Sequence, residues 1–243
     1  MNISIILPAR NESSSLAILL PALKKEFPSE EIIVVNDGST DDTNTVCKNN
    51  EVKVINHPYS LGNGAAIKSG ARHASGDIFV FIDADGQNKP TSIKEMLDEI
   101  EKGYDMVIGA RDRSSHAGIP RYFANMFYNK LASYMSGHKV QDLTSGFRVV
   151  KASIFKRFLY LLPNGFSYPT TITMALFRSG YRIKYIPIDC DKRKGNSHIR
   201  LLKDGFKFIL IIFRVTSLYS QLKIFGPVSL ALFLSGLTYY GYT

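Results

Sequence analysis

Residues 77–87 carry the clearest indication of the fold class: Asp77-Ile78-Phe79-Val80-Phe81-Ile82-Asp83-Ala84-Asp85-Gly86-Gln87. The apolar run does not alternate with polar residues, which is typical of a strand covered on both faces in a mostly parallel sheet. Acidic and amide side chains follow at once. Because ligands of such sheets bind beyond the carboxyl ends of the strands, this stretch predicts a strand that leads directly into a binding site.

The same pattern recurs along the first 110 residues. Runs typical of strands at 2–7, 31–36, 52–56 and 105–110 alternate with helical stretches at 14–26, 41–50, 64–74 and 92–102. This alternation predicts an α/β fold with a mostly parallel, Rossmann-like sheet. Spacings of the capping-box type predict helix starts at Ser39-x-x-Asp42 and Ser92-x-x-Glu95.

Composition is that of a folded protein. The chain has 243 residues, of which 45% are hydrophobic and 21% charged. These values exclude wholesale disorder, collagen and a coiled-coil rod. Cys47 and Cys190 have neither disulfide-framework nor zinc spacing, which favours a reducing compartment. No secretory signal is visible at the start of the sequence.

Positive charge is concentrated towards the C-terminus. The formal net charge is +9, and residues 184–223 hold nine lysines and arginines against three aspartates. No aromatic and basic recognition element accompanies this charge, so nucleic acid is not an expected partner. An anionic lipid surface or a phosphorylated substrate fits better.

The last part of the chain is apolar. Residues 224–243 contain no charged side chain, and basic residues precede them. We therefore expect a catalytic domain at 1–198, an interfacial amphipathic helix at 199–222 and a membrane-spanning helix at 223–243, either alone or as the first of a truncated pair. Positive flanking charge predicts a cytoplasmic catalytic domain. The alternative is a buried C-terminal helix.

A metal site is predicted after the 77–82 strand. Asp83 and Asp85 are one residue apart, and the amide oxygen of Gln87 is a further hard ligand. Oxygen ligands suit Mg²⁺ or Mn²⁺, and such a cation also binds the two phosphates of a nucleotide diphosphate. The alternative is a pair of solvated acids in a surface turn.

A Gly-x-Gly element at Gly62 and Gly64 follows the third predicted strand. It resembles the start of a dinucleotide-binding fingerprint, but Ile67 stands where a third small residue is needed. The glycines instead indicate close approach of backbone to a nucleotide, or a shaped loop.

Several basic side chains indicate an anionic substrate. Arg111, Arg121 and Arg148 form one set, and Arg121 lies four residues before Asn125 on a helix that Pro120 predicts. A basic loop at 192–198 adds Arg193, Lys194 and His198. Guanidinium groups bind phosphate strongly, so a phosphorylated substrate explains these residues together.

Four stretches together resemble family-2 glycosyltransferases, and more closely the dolichyl-phosphate mannose synthase-like branch, whose members are polyprenyl-phosphate glycosyltransferases. The stretches are Ile6–Glu12, Val35–Thr43, Gly76–Asp85 and Asp142–Arg148. The resemblance covers residues 1–235 and implies a GT-A type nucleotide-diphospho-sugar transferase fold, located at the membrane with the catalytic domain in the cytoplasm.

The resemblance also implies roles for individual residues. The following are expected to bind the donor: Pro8, Arg10, Glu12, Val35, Asp37, Asp83, Ala84, Arg193, Lys194 and His198. The acceptor phosphate is expected at Arg111, Arg121 and Asn125, the metal at Asp83, Asp85 and Gln87, and catalysis at Asp85, Arg111, Asp142 and Arg148.

The implied reaction is an inverting transfer from a nucleotide-diphosphate sugar, of GDP-mannose or UDP-glucose type, to a polyprenyl phosphate. Such an acceptor needs no deprotonating residue, and residues 163–188 contain no Asp or Glu. Asp142 is expected to orient Arg148 or the donor sugar. Two alternatives remain: transfer to a glycan or lipid hydroxyl with Asp142 as base, and a non-catalytic nucleotide-binding scaffold. A homo-oligomer is also left open.

Overall fold

A computed structural model of the chain describes residues 1–111, 119–165, 167–190, 209–215, 217 and 221–242; the side chains of 119–122 and 223–224 are outside this description. The described strands are β1 (Ile3–Ala9), β2 (Glu31–Asp37), β3 (Lys53–His57), β4 (Ile78–Phe81), β5 (Met106–Arg111), β6 (Arg148–Lys151) and β7 (Ile183–Ile188). The described α-helices include α1 (Ser13–Glu26), α2 (Thr43–Asn49), α3 (Asn63–His73), α4 (Ser92–Glu101), α5 (Ile119–Ser136), α6 (Ala152–Arg157), α7 (Tyr168–Arg178) and α8 (Gln221–Tyr242).

The strands form one sheet in the order β3-β2-β1-β4-β6-β5-β7. All neighbours pair in parallel except β6, which runs antiparallel to both β4 and β5. Because β6 is reversed, its amino end lies at the edge where its neighbours have their carboxyl ends. The segment before β6 therefore reaches the same edge as the residues that follow β1, β2, β4, β5 and β7.

Helices cover both faces of the sheet, as the unbroken apolar strands predict. On one face, Phe79 and Phe81 of β4 pack in a cluster that also contains Ala66 of α3 and Ile172 of α7. On the other face, Val80 packs in a cluster with residues of α1 and α4. The mostly parallel α/β fold is thereby confirmed.

The predicted strands and helices of residues 1–111 are confirmed to within two residues at each end, but the two capping boxes are wrong. Helix α2 begins at Thr43 rather than after Ser39, because the Ser39 hydroxyl accepts a hydrogen bond from the backbone N–H of Asn11 at 3.0 Å. Ser92 lies inside α4, whose N-cap residue Thr91 makes no side-chain cap.

Backbone N–H groups at the Gly-x-Gly element donate hydrogen bonds to another segment of the chain. The N–H of Gly64 donates to the carbonyl of Gly165 at 3.2 Å, and that of Ala65 donates to Asn164 at 3.0 Å. Gly62 has φ +102°, and a Cβ on it would lie 2.5 Å from the Asn164 carbonyl oxygen. The amino end of α3 therefore binds the 163–165 segment, which excludes the dinucleotide interpretation.

The segment at 209–215 is helical, and its Ile212 and Val215 are buried in the core cluster with α7. Leu210 on the same segment is 52% exposed, so the interfacial helix expected at 199–222 stays a prediction. Residues 199–208 lie outside the described residues.

Among the described helices, none combines the length and apolar character needed to cross a bilayer, so the spanning helix predicted at 223–243 is not found. Helix α8 has 22 residues, but glycine, proline, hydroxyl and tyrosine side chains dilute its apolar sequence.

Replacing Gly64 with alanine tests the packing of α3 against the 163–165 segment. A Cβ at Gly64 would lie 2.1 Å from the Pro163 carbonyl oxygen, so backbone must move. We expect Gly64→Ala to lower the free energy of unfolding by about 1–3 kcal/mol in urea denaturation, as overpacking does. Gly165→Ala is the control, since a Cβ there meets nothing within 4 Å. Equal stability of the two variants would contradict this packing.

Candidate active site

The loops after β1 and β2 are tied to each other at the carboxyl edge of the sheet. The Asn11 side chain accepts from the Thr40 N–H at 2.8 Å, and Asp41 accepts from the Ser13 N–H at 3.0 Å. Pro8, Arg10 and Glu12 lie on or beside this joined pair of loops, with Arg10 exposed and the other two half-buried. These three predicted donor residues therefore share one rim of the sheet.

Two other predicted donor residues are buried. The Val35 side chain is fully enclosed in the core, and Ala84 is 2% exposed. The Val35 side chain fills the core beneath the rim, because β2 lies between β1 and β3 in the sheet, so any donor contact at Val35 would be made by its backbone. The small size of Ala84 suits its position between two acids that reach the surface.

Asp37, a further residue predicted to bind the donor, is hydrogen-bonded within the chain. One oxygen of its carboxylate accepts from His57 Nδ1 at 2.7 Å and from the Leu61 N–H at 2.8 Å. The other accepts from the Ser60 hydroxyl at 2.8 Å and the Gly62 N–H at 2.9 Å. A carboxylate has about four acceptor sites, and these contacts use them. Asp37 therefore shapes the loop before α3.

The same contacts set the charge of Asp37. Burial acts to raise the pKa of its carboxyl, but the hydrogen bonds from His57, Leu61, Ser60 and Gly62 outweigh it and hold the pKa below its usual value. The carboxylate thus stays ionised, as this set of donors requires.

Asp83 and Asp85 follow β4 and are both half-buried. The Asp83 carboxylate packs on Gly146, where a Cβ would lie 2.5 Å from Oδ2. Asp85 accepts from the Gln87 N–H at 3.2 Å. A side chain at 146 would displace the Asp83 carboxylate, so glycine there lets the first acid pack against the segment before β6.

These residues fit a hard divalent cation. Asp83, Asp85 and Gln87 supply oxygen ligands alone, which suits Mg²⁺ or Mn²⁺. Within the described residues, no group of three or more His, Cys, Asp or Glu side chains is placed to hold a metal ion. A cation on Asp83 and Asp85 would therefore take further oxygens from a bound phosphate or from water, as Mg²⁺ does in nucleotide sites.

Arg111 and Asp142 form the strongest polar contact at this edge. Arg111 Nε donates to Asp142 Oδ2 at 2.8 Å, and Nη2 donates to Oδ1 at 2.9 Å and to the Thr144 hydroxyl at 2.7 Å. Asp142 also accepts from the backbone N–H groups of Thr144 and Ser145. The bidentate pair fixes the plane of the guanidinium.

The ion pair shifts both groups towards their charged forms. Burial acts to raise the pKa of Asp142, but the adjacent Arg111 guanidinium and the hydrogen bonds hold it below its usual value. Burial acts to lower the pKa of Arg111, and the Asp142 carboxylate outweighs this and raises it. The Asp142 side chain is 7% exposed and that of Arg111 31%. Arg111 thus faces the rim while Asp142 supports it from inside.

Arg148, predicted as a catalytic residue, lies beneath the rim. Its side chain is fully buried, and its guanidinium donates to the Ser145 carbonyl at 2.7 Å and to the Thr173 hydroxyl at 2.6 Å. Asp142 therefore orients Arg111 and not Arg148. Arg148 supports the segment that carries Asp142, because it also donates to the Leu143 carbonyl at 3.3 Å.

The other predicted site residues belong to α5 and to the basic loop at 192–198. Asn125 lies half-buried on α5. Arg121 lies on the same helix, but its side chain is outside the described part of the structure. Arg193, Lys194 and His198 fall in the 191–208 stretch, which also lies outside the described residues.

The structure adds residues that sequence reasoning missed. Asp189 comes directly after β7 and is exposed. Since Ile188 pairs with Arg111, Asp189 lies at the same edge as the ion pair. An acid directly after an apolar strand was the signal available for it. Gly146 lies in the Asp142–Arg148 stretch, but its packing against Asp83 is visible only in the structure.

The sequence matches a known protein family over the residues that form β1 to β6. The family model described as Glycosyl transferase family 2 matches residues 4–159. The chain therefore belongs to glycosyl transferase family 2.

Relatives and solved structures add detail. The putative glycosyltransferase CsbB of Bacillus subtilis is 36% identical over 135 residues, which cover 52% of this chain and 41% of that protein. The dolichyl-phosphate beta-glucosyltransferase of Saccharomyces cerevisiae is 28% identical over 251 residues, covering 89% of this chain and 75% of the relative.

Among solved structures, the glucosyl-3-phosphoglycerate synthase of Mycobacterium tuberculosis, in complex with Mn²⁺, uridine diphosphate and glucosyl-3-phosphoglycerate, superimposes with a TM-score of 0.74 at 19% identity. That similarity covers 89% of this chain and 80% of that one, and it confirms the fold.

Substitution of Asp142 by asparagine tests the ion pair. Because the pKa of Asp142 is lowered on folding, the pair stabilises the fold above the unfolded value of about 4, and this stability is lost as the pH falls through the lower folded value. We expect Asp142→Asn to lower the free energy of unfolding at pH 7 by about 1–3 kcal/mol.

The measurement is urea denaturation of the wild type and the variant from pH 7 down to pH 3. The gap between them should narrow below about pH 4. Asp98→Asn is the control, because Asp98 is exposed on α4. A gap that stays constant over the whole range would show that the charge of Asp142 does not stabilise the fold.

Proposed function

We propose that the chain transfers a sugar, with inversion, from a nucleotide-diphosphate sugar to a polyprenyl phosphate. One observation carries this proposal: Arg111 is held at the rim by a carboxylate that is buried and fully engaged. A fixed cation suits an anionic acceptor, and an engaged, low-pKa carboxylate is a poor base for a neutral hydroxyl.

The donor half of the proposal rests on the residues around β4. Asp83 and Asp85 would hold Mg²⁺ or Mn²⁺, with Gln87 as a further oxygen ligand, and the cation would neutralise charge on the diphosphate leaving group. Arg10 and Glu12, on the joined loops after β1 and β2, line the same rim. Donors of GDP-mannose or UDP-glucose type fit this arrangement, and relatives named for dolichyl-phosphate glucosyl transfer favour glucose.

The acceptor half rests on Arg111 and α5. Among the described contacts, the hydrogen bonds of Arg111 to Asp142 and Thr144 use Nε and Nη2, and we propose that Nη1 binds a phosphate oxygen. Asn125 and Arg121 lie four residues apart on α5 and are proposed to bind the same phosphate. A phosphate monoester is already anionic, so its oxygen attacks the anomeric carbon as the bond from that carbon to the diphosphate breaks.

We place this reaction at the cytoplasmic face of a membrane, because polyprenyl phosphate is a lipid. Several large apolar side chains of α8 are exposed and suit contact with lipid, among them Phe225, Leu230, Leu232 and Phe233. Two relatives are named for dolichyl phosphate and undecaprenyl phosphate, which supports a location at the membrane.

A second candidate is transfer to a glycan or lipid hydroxyl, and Asp189 favours it. This acid is exposed at the same edge as Arg111, where a base would be needed. The two candidates differ in which acid matters: Asp189 for a hydroxyl acceptor, and Asp142, acting through Arg111, for a phosphate acceptor.

The direct test of the proposed function is a donor panel. Purified protein in detergent is incubated with Mn²⁺, polyprenyl phosphate and one of several radiolabelled nucleotide sugars, and the organic phase is counted. We expect organic-phase sugar from one donor. No organic-phase sugar from any donor would overturn the proposal.

Removal of Asp85 tests the metal. We expect Asp85→Ala to lower turnover with saturating Mn²⁺ by about 100-fold, since a cation that neutralises the leaving group supplies several kcal/mol. Asp98→Ala, on the exposed face of α4, should retain wild-type turnover. Unchanged turnover in Asp85→Ala would place the cation site elsewhere.

Comparison of two asparagine variants separates the candidates. With polyprenyl phosphate as acceptor, Asp142→Asn should lower kcat by about 10- to 100-fold, because loss of a precisely placed charge costs about that much. Asp189→Asn should keep kcat within about twofold of the wild type, because a phosphate acceptor needs no base. A reversed order of the two variants would favour the hydroxyl acceptor.

A further inference from the structure

One face of α5 carries a polar stripe. Asn125, Asn129 and Ser133 follow Arg121 at intervals of four residues, which places them on the same face of a helix. The last two contact the loop that follows the helix, residues 137–147, which contains Asp142. The stripe therefore runs from the proposed acceptor residues to the residue that orients Arg111.

Asn129 holds this loop on both sides of Asp142. Its Nδ2 donates to the Gln141 carbonyl at 2.6 Å, and its Oδ1 accepts from the Leu143 N–H at 3.0 Å. One side-chain amide thus satisfies a backbone carbonyl and a backbone N–H that flank a single residue. A side chain of α5 therefore holds the backbone of the residues before and after Asp142.

Ser133 extends the same support by one turn. Its hydroxyl accepts from the Val140 N–H at 2.9 Å and donates to the Asn129 carbonyl at 2.6 Å. The loop segment 140–143 has no regular secondary structure. Its described backbone hydrogen bonds to α5 therefore come from the side chains of this stripe, which makes the stripe the fixed reference for Asp142.

We infer that Asn129 is a positioning residue for sugar transfer: it holds Asp142 where both carboxylate oxygens meet Arg111, and so sets the guanidinium that receives the acceptor phosphate. This inference rests on the proposed function. It also means that the acceptor positions on α5 and the ion pair are parts of one rigid unit. A displacement of about 1 Å at a reacting group lowers rates by about 100-fold, so the amide matters although it touches no substrate.

The first readout is independent of any activity. The ¹⁵N–¹H signal of Arg111 Nε, assigned with Arg111→Lys, should be protected from exchange in the wild type because that N–H donates to Asp142. We expect the protection to fall at least tenfold in Asn129→Ala and in Asp142→Asn. Asn50→Ala is the matched control, because the Asn50 amide also donates to a backbone carbonyl, that of Val46 at 2.9 Å. Unchanged protection in Asn129→Ala would overturn the inference.

The second readout is a double-mutant cycle in sugar transfer. We expect Asn129→Ala to lower kcat by 10- to 100-fold with little change in the donor KM, while Asn50→Ala keeps both. Since Asn129 acts through Asp142, the double variant with Asp142→Asn should be no slower than Asp142→Asn alone. Multiplicative losses would overturn the inference.

Asn129→Asp covers the case in which the alanine variant does not fold. It keeps the acceptor for the Leu143 N–H but presents a carboxylate oxygen to the Gln141 carbonyl, so protection of Arg111 Nε should again fall. Retained protection would count against the inference. If the wild type transfers no sugar, the proposed function fails, while the exchange measurement still decides the role of Asn129.

Discussion

The bidentate ion pair between Arg111 and Asp142 is the contact on which the rest of the site depends. Strand β5 delivers Arg111 at its carboxyl end, and the segment before the reversed strand β6 delivers Asp142 to the same edge. A buried carboxylate is costly unless it is paired and hydrogen-bonded, and here Arg111 and two backbone N–H groups meet that need. The guanidinium is in turn oriented for a ligand at the rim.

The reversal of β6 explains how the acid that follows β4 and the ion pair at the end of β5 come to one edge of the sheet. Were β6 parallel, the 142–147 segment would lie at the opposite edge of the sheet. Instead Gly146 packs against the Asp83 carboxylate. Asp142, four residues before Gly146, forms the ion pair with Arg111. Arg148, buried at the start of β6, binds the carbonyls of Leu143 and Ser145. Lysine could not replace it, because its single ammonium lacks the planar fork that reaches several acceptors.

Much of the fold could be predicted from the sequence, since the apolar runs and their polar ends follow local rules. The positions of Asp83, Asp85 and Arg111 at one edge follow from those rules as well. The reversal of β6 could not be predicted, because Arg148–Lys151 is short and its direction is set by packing between β4 and β5. Because the direction of β6 was not predictable, neither the pairing of Asp142 with Arg111 nor the burial of Arg148 could be predicted.

Asp37 shows a different limit of prediction. The family resemblance implies that Asp37, the last residue of β2, binds the nucleotide, and the structure adds that its oxygens accept hydrogen bonds from His57 and from the loop before α3. A motif records that a residue type is required, but only the contacts show whether it meets the substrate or the chain itself. The buried side chain of Val35 and the Gly62 and Gly64 element illustrate the same point.

We propose that the fixed Arg111 cation selects a phosphate as the attacking group. Polyprenyl phosphate and the polyprenol of the same chain length can be compared as acceptors for one donor. We expect sugar on the phosphate and none above background on the alcohol. Glycosylation of the alcohol at an equal or higher rate would contradict it.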